Sequence, residues 1–232
     1  MSSLAAAREK MGRIGWLSIV PEPFRAAVLA RVHLMHFKPG EPVYAVGDPP
    51  GGLYGLVSGG LGIAIAPGER GPYFAHLARP GAWFGEAAAI TGQNRRVGLS
   101  ATRDTALLQL PLHDILEMAR ADPTIWRFMA LITIGHLDLA IGASDDLMIR
   151  DHSARCVAVL LRLSGYRRDD PDGPGPVDVD ISQEDLATLA NVSRTTARAQ
   201  LARLEAAGFI HQSYRRITVL RPDRLRSLLR DL

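Results

Sequence analysis

The stretch from Ser182 to Ala207 constrains the fold more than any other part of this 232-residue sequence. Ser182 and Asp185 have the spacing of a capping box, in which each side chain satisfies a backbone group at the start of a helix. Asn191 falls at a predicted turn, where a positive φ is needed and asparagine is among the few tolerated residues. Ser193 is then placed to cap a second helix. This order predicts a helix-turn-helix, whose second helix enters the major groove of DNA.

The residues near the start of the second helix that its core does not need are candidates for DNA contact. Ala197, Leu201 and Leu204 supply the predicted core face. Arginine can bond guanine in pairs, and threonine suits a phosphate or a thymine methyl group. Two strands predicted within 208–220 form a wing whose tip can reach phosphates. The predicted DNA-contacting residues are Ser193, Arg194, Thr195, Thr196, Arg198, Tyr214, Arg215 and Arg216. For each single arginine, the alternative is a solvated surface charge.

Positive charge is concentrated around this motif. Between Asn191 and Arg230 there are nine arginines and two acidic residues, a net charge of +7, whereas the whole chain carries +3 at pH 7. The rest of the chain is therefore mildly acidic. A basic C-terminal region suggests a polyanionic partner such as DNA.

The region from Val32 to Leu110 consists of short apolar runs broken by glycine and proline. Leu53–Val57 and Leu61–Ile65 are two such runs, and Pro39-Gly40 is one of the turn dipeptides between runs. This punctuation predicts many short antiparallel strands, hence a barrel or roll, with no helix of ordinary length.

From Pro123 to Ile149 the breakers thin out, and apolar residues recur three and four positions apart, which predicts a helix of roughly 25 residues. Much of its apolar stripe is expected to be covered by a second copy of the chain; the alternative is a helix lying on its own barrel. Helices are also predicted beyond Asp151, including Ser153–Gly165, and 166–180 is expected to be a loop.

The predicted fold class is therefore α+β, in three parts: an antiparallel roll over 1–122, a dimerisation helix and hinge over 123–150, and a winged helix-turn-helix over 151–232.

Composition excludes several other classes of protein. A lone cysteine, Cys156, excludes an internal disulfide and a multi-cysteine iron–sulfur cluster, and its aliphatic surroundings indicate a core residue. No stretch approaches ~18 uninterrupted apolar residues, and the first ten residues lack the apolar segment of a signal peptide. The chain is therefore expected to be cytoplasmic, with no membrane partner.

Several motifs, in order, resemble the Crp–Fnr family of bacterial transcription regulators. They are Lys38–Glu41, Gly47-Asp48, Leu53–Gly59, Trp83–Glu86, Gly92–Arg95, Val192–Thr196 and Leu204–Ile210. The resemblance covers most of the chain and implies a cyclic-nucleotide-binding-like roll that senses an effector, a long dimer helix and a winged helix. It further implies a homodimer on two-fold symmetric DNA operators, with RNA polymerase as a partner if the protein is an activator.

The resemblance also implies an effector site. In nucleotide-binding members, a Gly-Glu turn and a following Arg-Ser or Arg-Thr pair hold a cyclic phosphate and its ribose. Gly85, Glu86 and Arg95 match that pattern, whereas Arg96 stands where those members carry a small hydroxyl residue. These four residues are the predicted effector site, for a small anionic ligand such as a cyclic nucleotide or cyclic dinucleotide.

The predicted long helix departs from a cyclic-AMP responder. At Ala140 and Ile141 it offers aliphatic side chains where a responder offers hydroxyls to the purine. A buried purine amine without an acceptor costs ~1–3 kcal/mol. The purine is therefore read in another way, or the pocket holds something else, or it is empty. The second hypothesis is accordingly the same DNA-binding scaffold without a nucleotide ligand, and in either case 148–153 is the expected hinge.

Two further chemistries rest on histidines. Haem needs an axial ligand, and His33, His36, His76 and His113 are candidates by residue type alone. A lone histidine in a strand-rich domain is more often a surface or core residue than a ligand, so haem is not expected. A cupin-like barrel enzyme needs histidines and a carboxylate on adjacent strands. His33 and His36 are predicted to point to opposite faces of a strand, and neither a Ser–His–Asp set nor a phosphate loop is present. The chain is expected to be neither an enzyme nor a metal-binding protein.

Overall fold

The computed structural model describes residues 3–66, 71–167 and 175–230. Two compact units are present, Met1–Leu137 and Asp138–Leu232. The longest helix, Ile125–Met148, contributes residues to both units.

The first unit begins with helices that the sequence patterns did not indicate. They are α1 (Leu4–Arg13), a short 3-10 helix (Gly15–Ile19) and α2 (Glu22–Arg31). The Ser3 hydroxyl caps α1 by accepting a hydrogen bond from the Ala6 N–H over 3.2 Å. Trp16 packs edge-on against Trp83 with 5.4 Å between ring centroids, and its indole N–H donates to the Phe128 carbonyl over 2.7 Å. These contacts tie the N-terminal segment to the roll and to the start of the long helix.

Eight short strands form the predicted antiparallel roll. Their bounds are β1 (His33–Phe37), β2 (Pro42–Tyr44), β3 (Gly52–Ser58), β4 (Leu61–Ile65), β5 (Tyr73–Ala78), β6 (Trp83–Phe84), β7 (Val97–Ala101) and β8 (Thr105–Pro111). They make two four-stranded sheets, in the orders β1-β8-β3-β6 and β2-β7-β4-β5, with antiparallel pairing throughout. Leu56, Leu61, Leu99 and Leu107 are buried in one cluster from both sheets. The six-residue helix α3 (Glu86–Thr91) interrupts the strands, and α4 (Leu112–Ala121) follows them.

The predicted long helix is present as α5 (Ile125–Met148, 24 residues). Near its start, Ile125, Met129 and Ile132 are buried in the core of the first unit. Trp126 and Phe128 are half-buried against the same core. Seven other large apolar side chains of α5 are exposed: Leu131, Ile134, Leu137, Leu139, Ile141, Leu147 and Met148.

By length and composition alone, α5 is apolar enough to cross a membrane, which the search for uninterrupted apolar runs did not indicate. Three aspartates lie within it, Asp138, Asp145 and Asp146. Charged side chains are costly inside a bilayer, so this one helix is weak support for a membrane span.

The second unit holds the predicted winged helix. After α5, its elements are α6 (His152–Ser164), β9 (Val177–Val179), α7 (Gln183–Leu189), α8 (Arg194–Ala206), β10 (Ile210–Ser213), β11 (Arg216–Val219) and α9 (Pro222–Arg230). The three strands form one sheet in the order β10-β11-β9. Cys156 is buried in α6, as its aliphatic surroundings predicted.

The expectation of a loop over 166–180 needs correction at its C-terminal end, and 168–174 lie outside the described residues. Val177 to Val179 form β9, which pairs with β11 through the partners Val177–Val219 and Val179–Ile217. The alternation Val-Asp-Val suits a half-buried strand, but three residues among prolines and glycines give too short a pattern to predict one.

A buried carboxylate joins the end of α5 to α6 within the second unit. Asp146 is 0% exposed. Its two oxygens accept hydrogen bonds from Arg162 Nε and Arg167 Nε, each over 2.8 Å. Arg167 also reaches the exposed Asp145 over 3.1 Å. Because a buried charge needs paired partners, this network holds the last turns of α5 in place.

Candidate functional site

The first helix of the predicted helix-turn-helix begins at a complete capping box. The Ser182 hydroxyl accepts a hydrogen bond from the Asp185 N–H over 3.0 Å, and the Asp185 carboxylate accepts one from the Ser182 N–H over 3.0 Å. The prediction from their spacing is therefore confirmed. Aspartate, although shorter than the glutamate usual at this position, accepts the hydrogen bond from the N-cap backbone N–H.

The turn between α7 and α8 has the backbone that the sequence predicted. Asn191 has φ 48°, in the left-handed region. Its carbonyl and that of Ala190 both accept hydrogen bonds from the buried guanidinium of Arg155, over 3.0 Å and 2.5 Å. Arg155 also donates to the Ile149 carbonyl over 3.0 Å. The sequence analysis did not single out Arg155, because its partners are backbone carbonyls that leave no mark in a sequence pattern.

The second helix, α8, presents the predicted DNA-contacting residues at its N-terminus. The Ser193 hydroxyl caps it by accepting a hydrogen bond from the Thr196 N–H over 3.0 Å. Ala197, Leu201 and Leu204 are buried, as predicted. The outward positions belong to Ser193, Arg194, Thr195 and Arg198, which are exposed, and to Thr196, which is half-buried. The structure therefore brings these five residues together at one end of the helix.

Arg194 already has an acidic neighbour. Its Nη2 lies 3.5 Å from a carboxylate oxygen of Glu184, and both side chains are mostly exposed. An exposed ion pair of this kind contributes little to stability, roughly 0–1 kcal/mol. Arg194 can therefore exchange this partner for a base edge or a phosphate at small cost.

The predicted wing is the hairpin of β10 and β11, with a two-residue tip. Tyr214 at the tip is 93% exposed, and Arg215 beside it has φ 52°. Arg216 is placed differently, since its side chain pairs with Asp180 over 3.0 Å and Asp178 over 3.3 Å. These two ion pairs join β11 to the segment around β9. Of the three wing residues predicted to contact DNA, Tyr214 and Arg215 face solvent and Arg216 is largely engaged within the unit.

The wing is also tied to the end of α8. Glu205 accepts hydrogen bonds from the backbone and the side-chain amide of Gln212, over 2.7 Å and 2.8 Å. These bonds favour the charged carboxylate and lower the pKa of Glu205 below its usual value. Glu205 therefore holds the hairpin against the helix that carries the candidate DNA contacts.

In the roll, three of the four predicted effector residues lie together. Gly85 precedes α3 with φ 104°, and a Cβ there would fall 2.4 Å from the Gly52 carbonyl oxygen and 2.5 Å from Arg95 Nη1, so a larger residue does not fit. Arg95 is only 4% exposed. Its guanidinium donates to the Gly85 carbonyl over 3.2 Å and to the Gly52 carbonyl over 3.0 Å. The fourth residue, Arg96, is exposed and bonds to Gln93 over 2.7 Å, away from this cluster.

Two tyrosines enclose Arg95, and the sequence analysis did not identify either. The Arg95 guanidinium carbon lies 4.3 Å from the ring centroid of Tyr44 and 5.7 Å from that of Tyr54. Burial raises the pKa of Tyr44 far above its usual value; the Arg95 charge opposes this shift and the Glu86 charge adds to it. Tyr44 is therefore a neutral hydroxyl at physiological pH, stacked on a cation.

Glu86 is held by the long helix. It is 4% exposed, and its Oε1 lies 2.9 Å from His136 Nδ1 on α5. The His136 ring also stacks on Phe84, with 5.0 Å between centroids and 17° between planes. The sequence analysis considered α5 only at Ala140 and Ile141, one helical turn further along, as the positions where a responder offers hydroxyls to a purine. It did not identify His136.

The histidines weighed as haem or metal ligands are not gathered in one place. His33 and His36 are exposed on β1, and His113 is exposed on α4. Among residues 3–66, 71–167 and 175–230, no group of three or more histidine, cysteine, aspartate or glutamate side chains is arranged to hold a metal ion.

Comparison with known domains matches both candidate sites. Residues 34–122, which include the Gly85–Arg95 cluster, match the cyclic nucleotide-binding domain, and residues 154–228, which include the helix-turn-helix, match the Crp-like helix-turn-helix domain. The chain belongs to the Crp–Fnr family. It is thus a DNA-binding transcription regulator with a cyclic nucleotide-binding domain, and both the resemblance drawn from its motifs and the predicted α+β fold class are confirmed.

Individual members of the Crp–Fnr family align over much of the chain. It is 24% identical over 218 residues to the CRP-like cAMP-activated global transcriptional regulator of Mycobacterium tuberculosis, covering 94% of this chain and 97% of the relative. It is 28% identical over 171 residues to the cyclic AMP receptor protein of Thermus thermophilus, covering 74% and 76%. The crystal structure of a CRP/FNR-family transcriptional regulator from T. thermophilus superposes with a TM-score of 0.63 at 25% identity, covering 85% of this chain and 98% of that one.

Proposed function

We propose that this Crp–Fnr protein is a cytoplasmic homodimer that binds two-fold symmetric operators and responds to a small anionic effector in its roll. Its domains would be the sensory roll over 1–122, the dimerisation helix and hinge over 123–150, and the DNA-binding domain over 151–232. The single observation that carries the DNA-binding part is the capped N-terminus of α8. There, Arg194, Thr195 and Arg198 are exposed while the opposite face is buried.

The charge distribution supports the same surface. The +7 of the window 191–230 includes Arg215, which lies beside the fully exposed Tyr214 at the wing tip. In a winged helix, the helix reads base edges and the wing contacts phosphates. Arg194 and Arg198 are therefore assigned to base contacts, and Tyr214 and Arg215 to the DNA backbone. Arg216, which is engaged with two aspartates, contributes chiefly by holding the hairpin.

Dimerisation is proposed on the apolar side chains that α5 leaves exposed. Ile134, Leu137, Ile141 and Met148 are between 49% and 80% exposed along this helix. A contiguous apolar surface of this kind is unfavourable in water and marks an interaction site. A second copy of α5 offers the same surface, so an isologous contact covers both. Operators of two-fold symmetry follow from that dimer.

For the effector, the proposal rests on the roll cluster. A buried arginine, a buried carboxylate and two tyrosines lie close together. An arginine neutralises a phosphate, and a carboxylate accepts from a hydroxyl. Two relatives are named as cyclic-AMP-activated or cyclic-AMP-receptor proteins. A cyclic nucleotide or cyclic dinucleotide is the ligand class that this combination supports, and the region 148–153 is the proposed hinge.

A second candidate, the same regulator without a nucleotide ligand, is favoured by a different observation. Both charged groups of the cluster already have protein partners: Arg95 bonds two carbonyls, and Glu86 bonds His136. In this case the roll would be a structural element and regulation would come from protein abundance. Contact with RNA polymerase belongs to either candidate, provided the protein is an activator.

One experiment separates these possibilities. Purified protein is used to select bound fragments from random and genomic DNA, with and without cyclic AMP, cyclic GMP and cyclic di-GMP, and calorimetry measures the binding of each nucleotide. We expect an enriched palindromic sequence, two subunits per site, and heat from one nucleotide. A palindrome without heat from any nucleotide supports the second candidate. Recovery of DNA without sequence preference contradicts both.

A further inference from the structure

The second unit contains a cavity of about 290 Å³ that the proposed function does not use. It lies between α6, α8 and α9. Its apolar wall is formed by Val157, Leu204, Phe209 and Leu228. Ligand pockets in proteins usually measure ~300–1,000 Å³, so this cavity is at the small end and suits a ligand smaller than a nucleotide.

One polar side chain that lines this cavity has an unsatisfied hydrogen-bond acceptor. Gln200 of α8 is 7% exposed, and its Oε1 is buried without a hydrogen-bond partner. Among the described residues of the second unit, no other buried side-chain oxygen or nitrogen lacks a partner. A buried polar group without a partner is costly to the folded state, and a donor bound in the cavity removes that cost. Gln200 is therefore suited to receive a ligand.

Two exposed side chains of opposite charge also line the cavity. Arg203 lies three residues after Gln200 on α8, and residues at this spacing share a helix face. Asp151 caps α6, where its Oδ1 accepts a hydrogen bond from the Ala154 N–H over 2.7 Å. The second oxygen of this carboxylate is available to another donor. The cavity therefore combines a buried acceptor, a cation and an anion with an apolar wall.

We propose that this cavity binds a small zwitterion with an apolar body, namely an apolar α-amino acid such as leucine. The ammonium group of the amino acid donates to Gln200 Oε1 and to the carboxylate of Asp151. Its carboxylate pairs with Arg203, and its side chain packs against Val157 and Leu204. This site is separate from the effector cluster of the roll, so the proposal goes beyond the proposed function and does not depend on a nucleotide.

The first measurement asks which groups of the ligand are recognised. Calorimetry on the full-length protein compares leucine with three molecules that each lack one of its groups: isocaproate lacks the ammonium group, isoamylamine lacks the carboxylate, and glycine lacks the apolar side chain. We expect saturable binding of leucine and at least about tenfold weaker binding of each of the other three, since hydrogen bonds to charged groups and apolar burial both contribute. Isocaproate binding as tightly as leucine would contradict the assignment of Gln200. No saturable binding of leucine, isoleucine or phenylalanine would overturn the proposal.

The second measurement tests the residues of the site. Gln200→Leu removes the unpaired acceptor, so it should not lower the thermal midpoint of the free protein, but it should weaken leucine binding at least about tenfold. Arg203→Gln should also weaken leucine binding about tenfold, and because Arg203 is exposed this variant tests the site without altering the core. The matched controls are Gln183→Leu and Arg224→Gln, at exposed positions away from the cavity, and both should bind leucine as the wild type does. Wild-type affinity in both Gln200→Leu and Arg203→Gln would show that leucine binds elsewhere.

The third measurement locates the ligand in the full-length protein by the NMR signals of its methyl groups. Leucine should shift the methyl signals of Val157, Leu204 and Leu228, which line the cavity. It should leave those of Leu99 and Leu107, in the core of the roll, unchanged. Leucine should also raise the thermal midpoint of unfolding as its concentration increases, because it binds the folded chain. Shifts confined to the roll would place the amino acid in the other unit and overturn the proposal.

Discussion

The Arg155 guanidinium donates a hydrogen bond from Nε to the Ala190 carbonyl over 2.5 Å, joining the first turn of α6 to the turn of the helix-turn-helix. The same side chain donates to the Asn191 carbonyl and to that of Ile149, which follows α5. Helix ends leave backbone carbonyls without hydrogen-bond partners, and here one planar guanidinium donates to three such carbonyls at once. The turn that aims α8 is therefore anchored to the residues that precede α6.

We expect Arg155→Lys to weaken operator binding at least tenfold and to lower the thermal midpoint of unfolding. Lysine keeps the charge but cannot reach three carbonyls in fixed directions, and each lost bond from a charged donor costs about 1.5–3 kcal/mol. Fluorescence anisotropy with operator DNA and thermal denaturation measure the two effects. Arg120→Lys, at an exposed position of α4, is the matched control and should change neither quantity.

Asp146→Asn should destabilise the protein by about 3–5 kcal/mol, because it removes the charge that two arginines share in a buried site. Arg162 and Arg167 would then face each other without their common partner. Chemical denaturation measures the loss. Asp145→Asn, which affects one ion pair of a mostly exposed carboxylate, should cost less than about 1 kcal/mol. Equal losses for the two variants would show that the buried pairing is not what holds this end of α5.

Local signals explain what the sequence could predict about the DNA-binding domain. The capping box at Ser182 and the left-handed turn at Asn191 each depend on residues within four positions of each other. Both features can therefore be predicted from the spacing of residue types in the sequence. Arg155 lies 35 residues from Ala190 and bonds to a backbone atom that every residue possesses. No pattern of side chains records such a contact.

In the roll, too, local features could be predicted from the sequence and long-range contacts could not. The Gly85-Glu86 turn and Arg95 were identified because they match two short motifs only nine residues apart in the sequence. His136 was missed because its link to Glu86 spans 50 positions, and a lone histidine on a helix has no pattern of its own. The strand β9 was missed for another reason: its pairing with β11, not its three residues, makes it a strand.

For the recognition surface, we expect Arg194→Ala to cost ~1–3 kcal/mol on the cognate operator and to reduce discrimination against random DNA. Arg215→Ala is the matched comparison, since both arginines are exposed. It should weaken binding to all DNA similarly and lower the salt slope by about one. Binding titrations on operator and random duplexes at several salt concentrations distinguish the two. If the Arg194→Ala variant still discriminates fully between operator and random DNA, another part of the chain contacts the bases.

Gly85→Ala should destabilise the roll by about 1–3 kcal/mol more than Gly92→Ala does. Both glycines have a positive φ, 104° and 69°, so in both variants the alanine is strained by a left-handed backbone conformation. At Gly92, however, the added Cβ enters open space, whereas at Gly85 it falls 2.4 Å from the Gly52 carbonyl oxygen and 2.5 Å from Arg95 Nη1. Denaturant titration of the two variants therefore isolates the cost of the clash. Equal stability would mean that both the Gly52 backbone and the Arg95 side chain move away freely.

Burial raises the pKa of the Cys156 thiol to about 11, against an ordinary value of 9.0, with the nearby Arg155 charge opposing the shift. Because the thiolate is the reactive form, we expect Cys156 to react with a disulfide reagent at pH 8 only as fast as the protein unfolds, and at once in denaturant. The sign for stability follows from the same shift. The thiol ionises in the unfolded chain near pH 9 but not in the folded one, so its contribution to stability is complete below pH 9 and decreases as the pH rises towards 11. Comparing the pH dependence of unfolding in the wild type and in Cys156→Ala isolates this contribution from other groups that titrate there. A stoichiometric burst of labelling in the native protein at pH 8 would contradict the buried, protonated thiol.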